Sequence, residues 1–428
     1  VVALAASCLS LGMLNASASA AEIEDAGVVA TRPTALVLVD RTGRREEIDR
    51  FVVEGDSVRI WPVRRASTAA FAVGADRRID VEPKTIPRAD CVAIFRDVPL
   101  AGATSGVLVF TDGQRFPGNI VPRESADGTI LAWRHPWIGA IDIVLERTRG
   151  IVVAPGAVLP ESTTGDVVLL GNGDRVEGLV ERLAPQVRIE RIGTDAAAPP
   201  DIASIPIDRI SAIALVTPRV ESTQPRIWIV DGTVLDGEPV VPVDRPTGVQ
   251  VLRAKDGPLP GRFDITAVPW ADERRRRTES FESIAAFAPS PSKLLPLAAI
   301  EARSVESSGD TPRIAVDGPV ASTAPHALDC PPILVRGPVV VRWDLPESGC
   351  LLVGELHVAE ADPRWTHFDV VLRDGDRELL RRTMEADSRA VPIAFRLEGR
   401  SLSIEVTEGD GGPIRDALLL RRMLVVRP

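Results

Sequence analysis

The sequence contains no tyrosine, and lysine occurs only at Lys84, Lys255 and Lys293. Nearly all positive charge is therefore arginine. The 50 basic residues are outnumbered by 60 acidic ones, for a net charge of −10. Such a chain lacks the basic footprint that phosphate backbones require, which excludes nucleic acid as an expected partner. Cysteine and histidine number four each, and no spacing among them matches a zinc site. Neither a metal nor another cofactor is expected. There is no Gly-x-Ser-x-Gly elbow, no His-Glu-x-x-His and no P-loop, and no histidine has an evident nucleophile partner in sequence. The expectation is that the chain is not an enzyme.

Long apolar runs are missing too, with one exception. Residues 1–14 are mostly apolar and uncharged, and Ala16-Ser17-Ala18-Ser19-Ala20 follows. Small residues at 18 and 20 fit cleavage before Ala21. The run is shorter than the ~18–20 residues of a spanning helix. Residues 1–20 therefore read as an export signal without its charged start, and the mature chain as secreted or periplasmic/cell-envelope, with no membrane span. In an oxidising compartment Cys330 and Cys350 are candidates for a disulfide. Closing that loop of ~20 residues would stabilise the fold by roughly 3 kcal/mol.

What the sequence has in quantity is turn formers, 36 Pro and 33 Gly, between short Val/Ile/Leu runs, which points to an all-β chain. A motif recurs: Phe110-Thr111-Asp112-Gly113-Gln114-Arg115-Phe116-Pro117-Gly118, Leu170-Gly171-Asn172-Gly173-Asp174-Arg175-Val176-Glu177-Gly178, and Val230-Asp231-Gly232-Thr233-Val234-Leu235-Asp236-Gly237. The turn glycines lie about 60 residues apart. Asp-Gly and Asn-Gly predict a tight hairpin of type I′. The later glycine marks a bulge or bend in the second strand. An apolar closing strand follows, as in Ile205-Pro206-Ile207-Asp208-Arg209-Ile210 and Ile86-Pro87-Arg88-Ala89-Asp90-Cys91. Stepping by the period aligns Ile86, Leu145, Ile205 and Ile265. A divergent first copy then turns at Asp40-Arg41-Thr42-Gly43.

The units are read as a divergent first β repeat (21–100) and second (101–160), third (161–220) and fourth (221–272) repeats. Each is a small Sm-like barrel or curved sheet, expected to pack end to end. The same register makes Cys91, Trp228 and Trp270 core positions rather than site residues. A Pro/Ser-containing linker, 273–296, leads to a segment with longer strands, 297–428. Its seven candidate strands and an Asp374-Gly375 hairpin read as a β-sandwich.

In that segment the ordered set Lys293-Leu294-Leu295-Pro296, Pro312-Arg313-Ile314, Trp343-Asp344-Leu345, Phe368-Asp369-Val370-Val371-Leu372-Arg373-Asp374-Gly375, Leu402-Ser403-Ile404-Glu405-Val406 and Glu408-Gly409-Asp410-Gly411-Gly412 resembles the NPCBM-type module. That family comprises galactose-binding-like jelly-rolls of secreted bacterial proteins, often preceded by Asn-Gly-Asp-Arg-x-x-Gly repeats like residues 172–178. The resemblance implies a jelly-roll that binds carbohydrate. The sequence departs from the family at Leu334-Val335-Arg336, which lacks the usual histidine, and at Asp416-Ala417-Leu418-Leu419-Leu420, which replaces a polar motif.

Sugar sites combine an aromatic face with a few fixed polar groups. The candidates are Arg364, Trp365, His367, Trp343 and Asp410. The run 408–412 could hold Ca²⁺ but reads first as a Gly-rich hairpin, and Trp133-Arg134-His135-Pro136-Trp137 as a turn flanked by packing tryptophans. The resulting expectation is a secreted, non-catalytic protein whose repeats carry a carbohydrate-binding module. The partner is then a carbohydrate or cell-envelope polymer. The alternative is a structural or protein-interaction component of the cell envelope without sugar binding; a glycan-processing enzyme is third.

Overall fold

A computed structural model describes residues 35–63, 82–101, 105–121, 130–136, 139–162, 164–183, 186–191, 201–237, 283–307, 326–359, 365–409 and 416–428, with short strands between 239 and 280 and at 314–316. The export signal, Trp137, Trp270, Arg364 and Asp410 lie outside the described residues. The fold is all-β. Among the described residues no helix is long and apolar enough to cross a membrane.

Repeat 1 comprises β1 (Leu36–Asp40), β2 (Arg45–Glu54), β3 (Ser57–Pro62), β4 (Lys84–Pro87) and β5 (Cys91–Phe95). Repeat 2 comprises β6 (Gly106–Phe110), β7 (Arg115–Ile120), β8 (Ile130–His135), β9 (Gly139–Val144) and β10 (Thr148–Val152). Repeat 3 comprises β11 (Asp166–Leu170), β12 (Arg175–Arg182), β13 (Gln186–Arg191), β14 (Asp201–Pro206) and β15 (Ile210–Ala214). In each, the first strand pairs with both the second and the closing strand. The closing strand follows a one-turn 3₁₀ helix at Arg88–Asp90, Leu145–Arg147 or Ile207–Arg209. The result is a small, strongly curved sheet whose concave side holds the apolar cluster of Leu36, Ile94, Leu108, Phe116, Ile151, Val168 and Ile213.

The hairpin chemistry differs from the type I′ expectation. Phe110 N–H donates to Gln114 O (3.0 Å) and Gly113 N–H to Phe110 O (3.1 Å), and the same pair of bonds recurs at 40–44, 170–174 and 229–233. Only the glycine has positive φ, +82°, +87°, +92° and +93° at Gly43, Gly113, Gly173 and Gly232. This is the three-residue loop with glycine in the bulge. The preceding Asp or Asn keeps ordinary φ and uses its side chain as an acceptor: Gln114 N–H donates to Asp112 Oδ1 (3.0 Å) and Asp174 N–H to Asn172 Oδ1 (3.1 Å). The later glycine permits close approach. A Cβ on Gly118 would sit 2.3 Å from Arg134 O, and one on Gly178 2.1 Å from Glu190 O.

Repeat 4 begins with β16 (Arg226–Ile229) and β17 (Val234–Asp236). Its remaining strands are β18 (Pro239–Val240), β19 (Gly248–Gln250), β20 (Arg253–Ala254), β21 (Gly257–Pro258), β22 (Arg262–Thr266), β23 (Arg277–Ser280) and β24 (Ile284–Ala288). The closing strand is β24, which pairs with β16. Ile265 belongs to β22, which pairs with β19 and β23. The segment read as a linker, 273–296, thus carries the fully buried Ile284 to Ala288. An insertion displaces the closing strand beyond the step of the period. Leu145 likewise opens the 3₁₀ turn and so corresponds to Arg88 and Ile207, not to Ile86 and Ile205.

The sandwich contains β25 (Leu294–Pro296), β26 (Ala302–Ser307), β27 (Ile314–Val316), β28 (Ile333–Arg336), β29 (Val339–Asp344), β30 (Leu351–Val358), β31 (His367–Asp374), β32 (Arg377–Glu385), β33 (Val391–Arg396), β34 (Ser401–Val406) and β35 (Ala417–Val426). One sheet runs β27-β28-β35-β30-β33, with β25 also on β35, and the other β26-β29-β34-β31-β32. Strict alternation in β29 sends Val339, Val341 and Trp343 into the core.

The repeats do not follow one another in space. Closing strands β5 and β24 pair, joining repeats 1 and 4, and β10 and β15 pair, joining 2 and 3. Strands β7 and β17 meet at Arg115 and Val234, joining 2 and 4. The spatial order is therefore 1-4-2-3. Repeats and sandwich belong to one compact unit, Thr34–Pro428. A shared apolar cluster includes Phe95, Trp228 and Ala286 from the repeats and Cys330, Leu351, Val353 and Leu424 from the sandwich.

Candidate functional site

The sandwich strands deliver the candidate residues to one end. Strand β34 ends at Val406, β31 begins at His367 and β35 begins at Ala417, so their flanking residues cluster there. Gly337 N–H donates to Asp416 O (2.8 Å), and Thr407 N–H to Asp369 O (3.0 Å). Gly409 packs flat on the start of β31. A Cβ there would lie 1.5 Å from His367 O and 2.7 Å from His367 Nδ1. Glycine is required by that contact.

Trp365 is 42% exposed beside the buried Thr366. An exposed indole on a turn offers a stacking face. His367 is half-buried, and its Nδ1 has no hydrogen-bond partner among the described residues. Asp416 is 2% exposed, and among the described residues only the Gly409 backbone N–H approaches its carboxylate as a donor, short of full hydrogen-bond geometry. Burial pushes its carboxyl up to about 6, with Glu408 adding to the rise. The Gly409 backbone and His367 pull the other way and only partly offset it. A buried carboxylate with so few donors is costly.

The other candidates fall elsewhere. Trp343 is 1% exposed in the sandwich core, where the β29 alternation puts it, so it cannot stack on a ligand. Cys330 and Cys350 are free thiols. They lie in different apolar clusters, and each donates to a backbone carbonyl, Met423 O at 3.2 Å and Glu347 O at 3.4 Å. The disulfide reading is therefore corrected. Cys91 is buried, its thiol pushed up to about 12 by desolvation, which makes it an inert core group. Trp133 is fully buried, and the buried His135 Nε2 lies 3.0 Å from Thr233 Oγ1, so this pair is packing. Asp416 is not among the candidates that the sequence singles out. Its signal was an acidic residue immediately before the apolar Ala417-Leu418-Leu419-Leu420.

A second polar cluster joins the sandwich to repeat 1. Glu355 pairs with both Arg45 and Arg422 and lies 3.0 Å from His357 Nε2. Arg422 also donates to Asp97 (2.8 Å), as does Arg421 (2.7 Å). The Arg422 guanidinium stands 4.9 Å from the Phe95 ring centre. Burial pushes Glu355 up, but His357, Arg422 and Arg45 together outweigh it and hold its carboxyl at about 2. Every charge here is paired, so the cluster works as a clamp between lobes rather than as a vacant site.

The geometry defines a protein class: a tandem array of small β barrels with a docked β-sandwich. No protein-family model matches the chain, and no curated protein does. Similar solved structures include a CBM51 module from Clostridium perfringens GH95 in complex with methyl-galactose, with 10% identity, 31% of this chain, 99% of that one and a TM-score of 0.26. The CBM51-2 and INT domains of Clostridium perfringens ZmpB show 11% identity over 44% of this chain and 45% of that one, TM-score 0.27. The tandem CBM51 modules of Sp3GH98 from Streptococcus pneumoniae show 10% identity over 92% and 88%, TM-score 0.26. These likenesses assign the chain to no family.

Proposed function

We infer that the chain is a secreted or cell-envelope, non-catalytic protein whose C-terminal sandwich binds carbohydrate at the end bearing Trp365, His367 and Asp416, with the repeats as its scaffold. One observation carries this reading. A buried carboxylate with no side-chain donor among the described residues stands beside a half-buried imidazole whose Nδ1 has no partner among them, on the sandwich end that also exposes a tryptophan. Hydroxyl groups supply donors to such acceptors, and a sugar ring's apolar face stacks on an indole. The resemblance to NPCBM-type modules agrees with it.

The test uses the full chain, because the sandwich buries Leu351, Val353 and Leu424 against the repeats. Glycan-array screening followed by calorimetry should find a sugar ligand, and Trp365→Ala should weaken it by at least tenfold, about 1.4 kcal/mol. A folded protein that binds no glycan would sink the reading. The second reading is a structural or protein-interaction component without sugar binding. It draws on the sandwich's extensive docking to repeats 1 and 4, and on Leu418 and Leu420, which are wholly buried where the family resemblance implies polar groups.

A further inference from the structure

The array is built from two contacts that alternate. In the first, closing strands pair, with Ile94 facing Phe287 between repeats 1 and 4, and Ile151 facing Ile213 between 2 and 3. In the second, strands meet just after their turns, with Arg115 facing Val234 between 2 and 4. The register inside each repeat shows that these partners are equivalent residues. Ile94, Ile151, Ile213 and Phe287 stand opposite Leu38, Leu108, Val168 and Ile227. Arg45, Arg115, Arg175 and Val234 stand opposite Val39, Val109, Leu169 and Trp228. An antiparallel contact centred on equivalent residues is isologous, with a local two-fold axis.

The turn contact is well built. Arg226 is buried and donates to Asp236 Oδ1 (2.7 Å) and Asp112 O (2.6 Å). Asp236 N–H donates to Gln114 Oε1 (3.0 Å). An alternating array of four has two ends, both of the turn type. At repeat 1 the sandwich covers that end, with a Cβ on Gly43 reaching 2.3 Å from Ala394 Cβ and Arg45 donating to Gly354 O (2.7 Å). At repeat 3 no described residue covers that end. Asn172, Gly173, Asp174 and Arg175 are all exposed, and a Cβ on Gly173 would meet nothing within 4 Å. Farther along β12, Leu179 is 60% exposed in a row with Glu190 and the exposed Ile202. The residues at its place in repeats 1 and 2 are Asp49 and Asn119, both polar.

We propose that this open end binds a second copy of the chain, repeat 3 on repeat 3, through the same turn contact, giving a two-fold dimer centred on Arg175. The occupant follows from the symmetry of the contact. An isologous contact is completed by a matching end, and the turn ends of repeats 1, 2 and 4 are already covered. Arginine at the centre is tolerable because Arg175 donates to Glu161 O (3.1 Å) and lies 3.8 Å from Glu177. In the dimer Glu177 of each copy stands diagonally across from Arg175 of the other, within reach of a long side chain.

Sedimentation of the full chain from about 1 to about 100 µM tests this, since a standard interface associates in or below that range. The expected result is a concentration-dependent dimer. Arg175→Glu, at an exposed site, should leave the circular dichroism of the folded chain unchanged and weaken dimerisation at least tenfold. Arg175→Cys should form a disulfide-linked dimer on air oxidation, and Gln186→Cys, exposed at the far end of the same sheet, should not. A wild-type chain that stays monomeric throughout overturns the proposal. So does a dimer indifferent to Arg175→Glu that Arg175→Cys fails to cross-link, since another surface then pairs the copies.

Discussion

Gly43 and Gly173 hold the same backbone conformation in equivalent turns, with φ of +82° and +92°, yet they face different surroundings. Within its own chain Gly173 has open space, so in the monomer Gly173→Val should meet only the left-handed penalty of about 1–2 kcal/mol. Gly43 presses on Ala394 and Leu351 of the sandwich, so Gly43→Val should lose the same amount and also force the lobes apart. Thermal melts should therefore show the larger drop for Gly43→Val. Equal drops would mean that the Gly43 contact contributes nothing. Asp416 gives a second test at this scale. Its folded carboxyl is raised to about 6 against about 3.9 when unfolded. Its neutral form is favoured by the fold, so its contribution is present at low pH and is lost as pH rises through about 6. Asp416→Asn, lacking that charge, should raise the melting temperature at pH 7 and remove this segment of the pH profile. An unchanged profile would show that the carboxylate has a donor in solution.

At the scale of elements, the hairpins and closing strands were legible because their requirements are local. Asp-Gly and Asn-Gly recur because one residue must cap the turn while the next adopts positive φ. The bend glycines recur because a neighbouring carbonyl approaches within van der Waals contact. The two turn classes use the same dipeptide and are told apart by loop length and by the φ of the residue before the glycine, which the sequence does not display. The fourth closing strand was misplaced because the β18–β23 insertion breaks the period, and periodicity has no means of seeing an insertion. The disulfide failed for a related reason. Separation along the chain says nothing about which side of a sheet each thiol faces.

For the whole molecule, the lobes are joined by an apolar cluster and by the clamp around Glu355. A depressed carboxyl contributes stability that is present above its unfolded value of about 4.3 and is lost as pH falls toward 2. Docking should therefore persist at pH 5 and weaken between about pH 4 and 2. Glu355→Gln should loosen the lobes at neutral pH by about 1–3 kcal/mol, because the half-buried Arg45 loses its counter-charge and Arg422 is left with Asp97 alone. Small-angle scattering would register an increased radius. An unchanged radius and melting temperature would place the joint in the apolar cluster alone.

The all-β class, the repeat and its turn glycines, the C-terminal sandwich and the burial of Cys91 and Trp228 are legible in the order of residues. Each follows from short-range patterning, in which alternation, turn chemistry and a period of about 60 residues reflect the local backbone. The tertiary structure alone decided the rest. Strand pairing between distant repeats set the spatial order 1-4-2-3. The meeting of strand ends buried Asp416 beside His367. Those outcomes depend on which edges and faces meet across hundreds of residues, and no local pattern encodes them.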